Sequence, residues 1–344
     1  MKKNIIAIIA LVISSTLAFA GNPDRAGSAG AGHLLINPWA RSSAMGYSAM
    51  ASINGIEASY NNVAGLAFVN KTELLFTNTN YLVGTGIKIN AFGFGQRVSE
   101  SGVLGVTVTN MNFGDIPITE ENLPEGGIGT FSPNYTNIGL SYAKAFSNSI
   151  YGGLTVRLIS ESIYNVRSQG VSFDAGIRYV TGEHDNIRFG ITLRNVGPPM
   201  RYKGDGLSIT ATIPTNGASL TVEQRSEKYE LPSLVNVGFA YDFILNEENK
   251  VTANAQYTSN SFTKDQWGLG GEFNSKNKFF FRAGYQWEKG LNSNIDRTTV
   301  FTGPTVGGSL QFTMNNASMI GIDYSYRSTN PFNGVHSLGL HLTM

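Results

Sequence analysis

The chain has 344 residues, with 25 basic and 24 acidic side chains and a formal net charge of +1 at pH 7. This balance leaves no excess of positive charge, which excludes nucleic acid as an expected partner. Charged residues make up 14% of the sequence, against roughly 25% in soluble proteins, so the exterior is expected to be unusually apolar. The sequence contains no cysteine, so no disulfide is expected.

The first twenty residues have the features of a secretory signal peptide. Lys2 and Lys3 form a positive region, residues 5–13 are an apolar run, and residues 18–20 (Ala-Phe-Ala) are a small-x-small cleavage site. We expect export, with cleavage after Ala20. The alternative is an uncleaved membrane anchor, which the short apolar run disfavours. A lipoprotein is excluded, because no cysteine follows the cleavage site.

Residues 21–70 are dominated by small residues and show no strand pattern. A segment of this size cannot bury enough surface to fold alone, whereas a fourteen-strand barrel has a lumen wide enough to hold a plug. We therefore expect residues 21–70 to form an N-terminal hatch in the lumen. The alternative is a disordered periplasmic tail. Apolar residues spread along the segment disfavour that tail; they are Leu34, Leu35, Ile36, Trp39, Ile53, Ile56 and Leu66.

From Thr72 onward, apolar and polar residues alternate with a period of two, and turn residues separate the alternating segments. In segment 278–288, for example, Phe279 and Phe281 point one way and Phe280 and Arg282 the other. The pattern predicts an all-β fold, a 14-stranded antiparallel transmembrane β-barrel over residues 71–344. The predicted strands are 72–79, 86–97, 102–113, 133–146, 149–163, 170–181, 187–196, 232–245, 250–260, 265–275, 278–288, 303–314, 317–327 and 334–344.

The connections between these strands alternate in length. One set consists of short turns, and the other includes the long loops 114–132, 197–231 and 289–302. Short turns at one end and long loops at the other are typical of outer-membrane barrels, and this favours a barrel over a soluble β-sandwich or lectin-like protein. Because the last strand is expected to end in the periplasm, the long loops are expected to be extracellular.

Charged side chains lie on the faces of the predicted strands opposite the apolar rows. A charge facing lipid would be costly, so these faces are expected to line a polar lumen. The residues are Arg157, Asp174, Arg178, Arg188, Arg194, Asp242, Glu272, Arg282 and Asp323.

The sequence offers little for catalysis, and we expect no catalytic residue, no cofactor and no metal. The four histidines lack metal-ligand spacing. The glycine-rich stretch 267–271 has no following helix and no Lys-Ser/Thr, so it is no phosphate loop; glycine here is expected to allow either strand curvature or close approach of the plug. Loop 114–132 is acidic but lacks calcium-loop spacing. A barrel enzyme using His341 is the least favoured alternative.

Two motifs in the predicted hatch resemble the PorV/PorQ family of Bacteroidota. They are residues 40–46 (Ala-Arg-Ser-Ser-Ala-Met-Gly) and 60–67 (Tyr-Asn-Asn-Val-Ala-Gly-Leu-Ala), with Val63 where the family commonly has proline. Segments 112–117 and 133–143 also resemble it. The family is similar to FadL-type transporters, which have a fourteen-strand barrel with an N-terminal hatch. The hatch-motif residues are Arg41, Met45, Gly46, Asn62, Ala64 and Gly65.

The resemblance implies a non-enzymatic barrel that docks secreted proteins as a type IX secretion component or a paralogue of one. The implied partners are secreted proteins, translocon components and outer-membrane lipid. The alternative is a FadL-like transporter of hydrophobic small molecules. The candidate partner-binding residues lie in loops 114–132 and 197–231; they are Asp115, Glu120, Glu121, Met200, Arg201, Tyr202, Glu223 and Arg225.

The middle of the longest loop, residues 207–213, is rich in β-formers. We expect it to pair with an edge strand of a partner. The alternative is a loop folded over the barrel mouth as a lid.

Overall fold

The computed structural model describes residues 25, 27–293, 295–315 and 318–344. The expected signal peptide, residues 1–20, lies outside the described residues. Fourteen antiparallel strands form a barrel that closes where the first strand pairs with the last. The strands are β1 (Thr72–Asn80), β2 (Lys88–Arg97), β3 (Gly102–Asn112), β4 (Asn134–Ala145), β5 (Ile150–Ile163), β6 (Val166–Thr181), β7 (Ile187–Val196), β8 (Leu234–Ile244), β9 (Asn249–Asn260), β10 (Gln266–Ser275), β11 (Phe279–Glu288), β12 (Phe301–Asn315), β13 (Ser318–Thr329) and β14 (Val335–Thr343).

The predicted fourteen-stranded antiparallel barrel is confirmed, and its outer face is apolar as the alternation required. On β11, Phe281 is 62% exposed, whereas Arg282 beside it is 5% exposed. Several charged side chains of the inner face form ion pairs: Arg157 lies 2.7 Å from Asp174, and Arg282 lies 2.6 Å from Glu272. Alternation therefore separates a lipid-compatible surface from a polar interior.

One boundary was predicted wrongly. The strand predicted from 170 begins at Val166, so that β5 and β6 are joined by only Tyr164 and Asn165. Residues 166–169 look like a loop in the sequence because their outward members, Arg167 and Gln169, are polar. The inward Ser168 is nevertheless buried, so the alternation continues past the apolar part of the strand.

The two ends of the barrel differ as the connection lengths predicted. One end, called the short-turn end, carries the turns 98–101, 146–149, 182–186, 245–248 and 276–278. The other, called the long-loop end, carries the connections 81–87, 113–133, 164–165, 197–233, 261–265, 289–300 and 330–334.

The long loops contain short elements of their own. Ile116–Pro117 pairs with Thr130–Phe131, and Ser208–Thr212 pairs with Ser219–Glu223. Tyr202–Lys203 extends the barrel sheet by pairing with β6, and Asp205–Leu207 is a 3-10 turn.

The chain before β1 forms short helical turns. They are the α-helices Ala40–Ser43 and Ala58–Asn61 and the 3-10 helices Gly32–Leu35, Ala49–Ala51 and Val63–Phe68. Among the residues that the structure describes, no helix is long and apolar enough to cross a membrane.

Candidate functional site

Residues 31–69, called the lumen segment, pack against the inward faces of strands around the barrel. Glycines on those strands let the two backbones meet. A Cβ at Gly284 would lie 2.2 Å from the carbonyl carbon of Met45, and a Cβ at Gly270 would lie 2.4 Å from the Met45 oxygen. Gly268 and Gly270 of the glycine-rich stretch, together with Gly284 of β11, thus admit the lumen segment without an intervening layer of side chains.

A buried carboxylate organises the first half of the lumen segment. Glu57 is 0% exposed and accepts hydrogen bonds from Arg41 Nε and from the Ser42 backbone N–H, both at 2.7 Å. Glu73, on β1, accepts a hydrogen bond from the Ile56 backbone N–H at 2.9 Å, and Arg41 lies 3.6 Å from it. Removing one partner of such a buried pair costs roughly 3–5 kcal/mol, so this cluster fixes the segment to the wall.

Arg178 holds the second half of the lumen segment. Its guanidinium, on β6, is fully buried and donates to the backbone oxygens of Met50 and Ile53 and to the Asn54 side chain. Carbonyls that the irregular segment cannot satisfy internally are thereby paired. A Cβ at Gly65 would lie 2.6 Å from the same guanidinium.

Two further motif residues, Gly46 and Asn62, also contact the wall. Gly46, with φ +61°, donates its N–H to Thr305 Oγ1 on β12 at 2.9 Å. Asn62 donates to the Ile177 carbonyl on β6 at 3.1 Å and accepts from the Ala64 N–H at 3.1 Å. The hatch-motif residues therefore sit where the lumen segment meets the barrel.

Small cavities lie between the lumen segment and the wall. One, of about 30 Å³, lies beside His33, Trp39, Tyr60 and Arg157; another, near Tyr47, is about 10 Å³. A buried water needs roughly 10–15 Å³ by this kind of measure, whereas drug-sized ligands occupy pockets of roughly 300–1,000 Å³. These two spaces suit a few waters and are too small for a hydrophobic ligand.

The longest loop begins and ends in a stem, defined as residues 199–203 and 228–231, in which Met200 and Leu231 are buried. Met200 and Leu231 pack against Leu34 of the lumen segment, and Met200 and Tyr229 exchange backbone hydrogen bonds of 2.9 Å. The stem thus joins the loop to the lumen segment.

Glu161 of β5 is the polar centre of the stem. The hydroxyls of Tyr202 and Tyr229 each donate to its Oε2 at 2.7 Å, and His33 Nδ1 lies 3.2 Å from its Oε1. Burial, together with this carboxylate, raises the pKa of Tyr202 and of Tyr229 well above the ordinary 10.0. Both tyrosines therefore stay protonated as donors.

Two of the candidate partner-binding residues, Met200 and Tyr202, do not lie on the accessible loop surface where the sequence placed them. Met200 is 2% exposed, and the Tyr202 hydroxyl is committed to Glu161. As folded, the Met200 side chain anchors the loop and is not open to a partner, because an apolar residue at the loop base packs onto the barrel mouth. Arg201 is half-buried beside them.

Between the two halves of the stem, residues 204–227 form an exposed arm. The β-prone stretch 207–213 is a strand over Ser208–Thr212, but its partner in the structure is Ser219–Glu223 of the same loop. Ile209 lies opposite Val222, and Leu220 shares their face; they are 48%, 39% and 50% exposed. The arm therefore presents an apolar face to its surroundings.

The charged candidates of both long loops are on the surface. Glu223 and Arg225 are exposed at the base of the arm. Asp115, Glu120 and Glu121 are exposed on the β3–β4 loop, where Asp115 accepts a hydrogen bond from Ser132. Among the described residues, no group of three or more His, Asp or Glu side chains is placed to hold a metal ion.

Sequence reasoning did not single out Glu57, Glu73 or Glu161. Glu57 lies in an irregular segment, where no sequence periodicity indicates which residues are buried. Glu73 and Glu161 occupy inward positions near the ends of β1 and β5. Following the alternation of inward and outward residues to the ends of these strands would have identified both as buried.

The closed barrel with an apolar outer face is that of an outer-membrane β-barrel protein. A family model described as type IX secretion system protein PorV matches residues 20–261, more than half of the chain. The protein therefore belongs to the PorV family. No curated protein matches the chain.

Several solved structures share the fold. The Pseudomonas putida toluene transporter TodX is 13% identical with a TM-score of 0.55, and the alignment covers 89% of this chain and 97% of that one. The monoaromatic hydrocarbon channel CymD is 12% identical with a TM-score of 0.54, covering 89% and 96%. The Ralstonia pickettii toluene transporter TbuX is 12% identical with a TM-score of 0.52, covering 89% and 97%. These structures share the barrel fold that was expected from the sequence.

Proposed function

We propose that this protein is a non-enzymatic docking protein of the type IX secretion system, which binds secreted proteins at its long-loop end. The observation that carries the proposal is the arm. An exposed two-stranded hairpin with one apolar face stands on a buried, hydrogen-bonded stem. Membership of the PorV family supports the type IX assignment.

The arm has the chemistry of a peptide-binding edge. Within the described residues, Ser208–Thr212 and Ser219–Glu223 pair only with each other, so each strand keeps one free edge. An isolated two-stranded hairpin is marginally stable in water, and an added strand from a partner would supply backbone hydrogen bonds. Ile209, Leu220 and Val222 would then bury their exposed surface, while Glu223 and Arg225 would select among partners by charge.

In this proposal the lumen segment acts as a hatch that keeps the pore closed. The contacts that Glu73 and Arg178 of the wall make with the lumen segment support a fixed plug. Docking at the long-loop end requires no passage through the barrel.

The second candidate function is passage of hydrophobic small molecules. It is favoured by the structural similarity to two toluene transporters and a hydrocarbon channel. The cavities of about 30 and 10 Å³ weigh against it, because passage would require the lumen segment to move.

The test replaces residues 203–227 by a short Gly-Ser linker in the native membrane. The docking proposal expects secreted proteins to stop co-purifying and to accumulate inside the cell, while the barrel keeps its heat-modifiable migration. If the secreted proteins remain bound and only permeability rises, the arm is a lid and the docking proposal is wrong.

Point variants make the test sharper. The first variant, Ile209→Asn with Val222→Asn, makes one cross-strand pair on the apolar face polar. The matched control, Thr210→Asn with Thr221→Asn, changes the neighbouring cross-strand pair, which lies on the opposite face of the hairpin. Only the first variant is expected to lose secreted proteins. Equal behaviour of the two variants would contradict binding through the apolar face.

A further inference from the structure

Basic side chains stand together on the outer side of the barrel, where the longest loop leaves it. Arg167 of β6 lies directly opposite Lys203 of the stem, and both side chains are exposed. The next pair in the register, Ser168 and Tyr202, faces the lumen, where Tyr202 donates to Glu161. Because alternate residues of a strand point to opposite faces, Arg167 and Lys203 point toward the membrane side.

Arg201 and Lys228 extend this pair into a cluster. Arg201 lies between two inward residues of the stem, so its side chain faces the same side as that of Lys203. The antiparallel pairing of Met200 with Tyr229 sets the exposed Lys228 beside Arg201. We call this cluster the basic rim; its members are Arg167, Arg201, Lys203 and Lys228.

The charges of the basic rim have no counter-ion in the part of the chain that the structure describes. None of the four side chains forms an ion pair there, whereas Arg25 is paired with Glu230 and Arg157 with Asp174. Like charges that face each other on a sheet are destabilising. The basic rim is therefore short of an anionic partner.

The basic rim lies just above an apolar belt. On β6 the outward residues from Val171 to Tyr179 are apolar, and Phe173 and Ile177 among them are 51% and 60% exposed. This run matches the roughly 9–11 residues that a tilted strand needs to cross the hydrocarbon. Arg167 lies beyond its upper end, about 13 Å along the strand at 3.3 Å per residue. The rim is thus in the headgroup layer and not in the hydrocarbon.

Uncharged hydrogen-bonding side chains separate the belt from the rim. Gln169 faces outward from β6. On the neighbouring β5, Ser160 lies opposite Gln169, and Ser162 lies opposite Arg167. From the hydrocarbon upward, the surface changes from apolar to uncharged polar and then to basic.

This order matches the parts of a phosphorylated glycolipid. Guanidinium and ammonium groups bind phosphate through charge-assisted hydrogen bonds, and basic residues just outside a membrane-spanning segment attract anionic lipid headgroups. Hydroxyl and amide side chains suit sugar hydroxyls, since each can both donate and accept. A lipid with acyl chains, sugars and phosphates covers all three layers at once, whereas a soluble polyanion covers only the rim.

We propose that the basic rim binds the phosphate groups of an acylated, phosphorylated glucosamine lipid of the lipid A type. The sugars of this lipid lie against Ser160, Ser162 and Gln169, and its acyl chains run along Phe173. The site does not depend on the docking of secreted proteins by the arm.

The test places the purified barrel in nanodiscs that contain diphosphoryl lipid A and phosphatidylglycerol in equal amounts, and native mass spectrometry counts the lipids that each barrel retains. Wild type is expected to retain lipid A in preference to phosphatidylglycerol. Arg167→Gln with Lys203→Gln is expected to lower lipid A retention about tenfold or more, because each base near the membrane surface adds to the binding of anionic lipid. The matched control, Lys276→Gln with Lys278→Gln, removes the same charge from an exposed short turn and is expected to leave retention unchanged.

A conservative variant separates the effect of charge from an effect on folding. Arg167→Lys with Lys203→Arg keeps both charges and is expected to retain lipid A as wild type does. All variants are compared in their heat-modifiable form. If the conservative variant loses as much lipid A as the glutamine variant, these positions act through the fold and the proposal is wrong.

The other outcomes also overturn the proposal. Equal retention of phosphatidylglycerol means that the rim attracts any anionic lipid. Equal retention of lipid A stripped of its phosphates means that phosphate is not recognised, and binding of inorganic phosphate without lipid A assigns the rim to a free anion. Unchanged retention in Arg167→Gln with Lys203→Gln removes the site altogether.

The arm is tested separately from the basic rim. Ile209→Asn with Val222→Asn alters the apolar face of the arm and leaves the rim in place, so lipid A retention is expected to stay at the wild-type level. Failure of the docking proposal appears as unchanged recovery of secreted proteins in that variant, and failure of the lipid proposal appears only in the lipid count.

Discussion

At the scale of single residues, the molecule relies on buried carboxylates where its backbone is irregular. Glu57 pairs with Arg41 and Ser42, and Glu161 gathers Tyr202, Tyr229 and His33. The first ties together two turns of the lumen segment, and the second joins segments that lie far apart in the sequence. In both clusters the fixed geometry depends on hydrogen bonds, because short helical turns and loop ends offer few regular backbone pairs.

The Glu57 cluster gives a quantitative prediction. Glu57→Gln removes the charge that faces Arg41 but keeps the size of the side chain and an acceptor oxygen, and Arg41 still has Glu73 at 3.6 Å. We therefore expect stability to fall by about 1–3 kcal/mol, less than for complete removal of the partner. The measurement is the denaturant midpoint of the heat-modifiable form. The matched control is Glu120→Gln on the exposed β3–β4 loop, which should change stability by less than about 0.5 kcal/mol. Equal midpoints for wild type and Glu57→Gln would show that the pair is not holding the segment.

At the scale of elements, the two ends of the barrel are expected to face different compartments. Trypsin added to intact cells should cut in or beside the arm after Lys203, Arg225 or Lys228 and should spare Lys276 and Lys278 in a short turn, although all five are exposed. The sorting of loop lengths is the reason, since long loops of outer-membrane barrels are extracellular.

Permeabilised cells provide the control for this experiment. There the turn at Lys276 should become accessible, and the fragment sizes should change accordingly. Cleavage at Lys276 in intact cells would reverse the orientation of the barrel.

The elements also show what the sequence could predict. Every barrel strand was predicted, because lipid on one face and lumen on the other impose a period of two on each strand independently. The lumen segment carries no such period, and its partners are distant: Gly46 bonds to Thr305, 259 positions away. Small residues and scattered apolar side chains predicted a plug. Its contacts could not be predicted, because they depend on which glycines of β10 and β11 face Met45.

The candidate site was predicted unevenly for the same reason. Loop length and β-propensity located the arm, but they could not distinguish its buried stem from its exposed tip. Met200 and Tyr202 look like surface residues in the sequence, and only the approach of Leu34 and Glu161 makes them anchors.

At the scale of the whole molecule, the barrel and its contents form one packed body. Deleting residues 27–66 removes the contacts of Glu57 and most of those of Arg178, and we expect single-channel conductance in planar bilayers to rise from near zero. The deletion leaves β1 and its pairing with β14 in place, so the wall should still form. The control is replacement of 203–227, which leaves the lumen segment intact and should stay closed. Unchanged conductance in a folded deletion variant would mean that loops, and not this segment, seal the pore.

The path of the chain through the barrel constrains how the molecule is assembled. Arg25 pairs with Glu230 at the long-loop end, while Thr72 and Met344 exchange backbone hydrogen bonds at the short-turn end. The part of the chain that leaves the ribosome early is thus enclosed by walls made later, and its hydrogen-bond partners on β12 do not exist until nearly all of the protein has been synthesised. We therefore expect the lumen segment to stay unfolded during transit and to settle as the seam between β1 and β14 closes, so a variant that closes too early is expected to leave this segment outside the barrel.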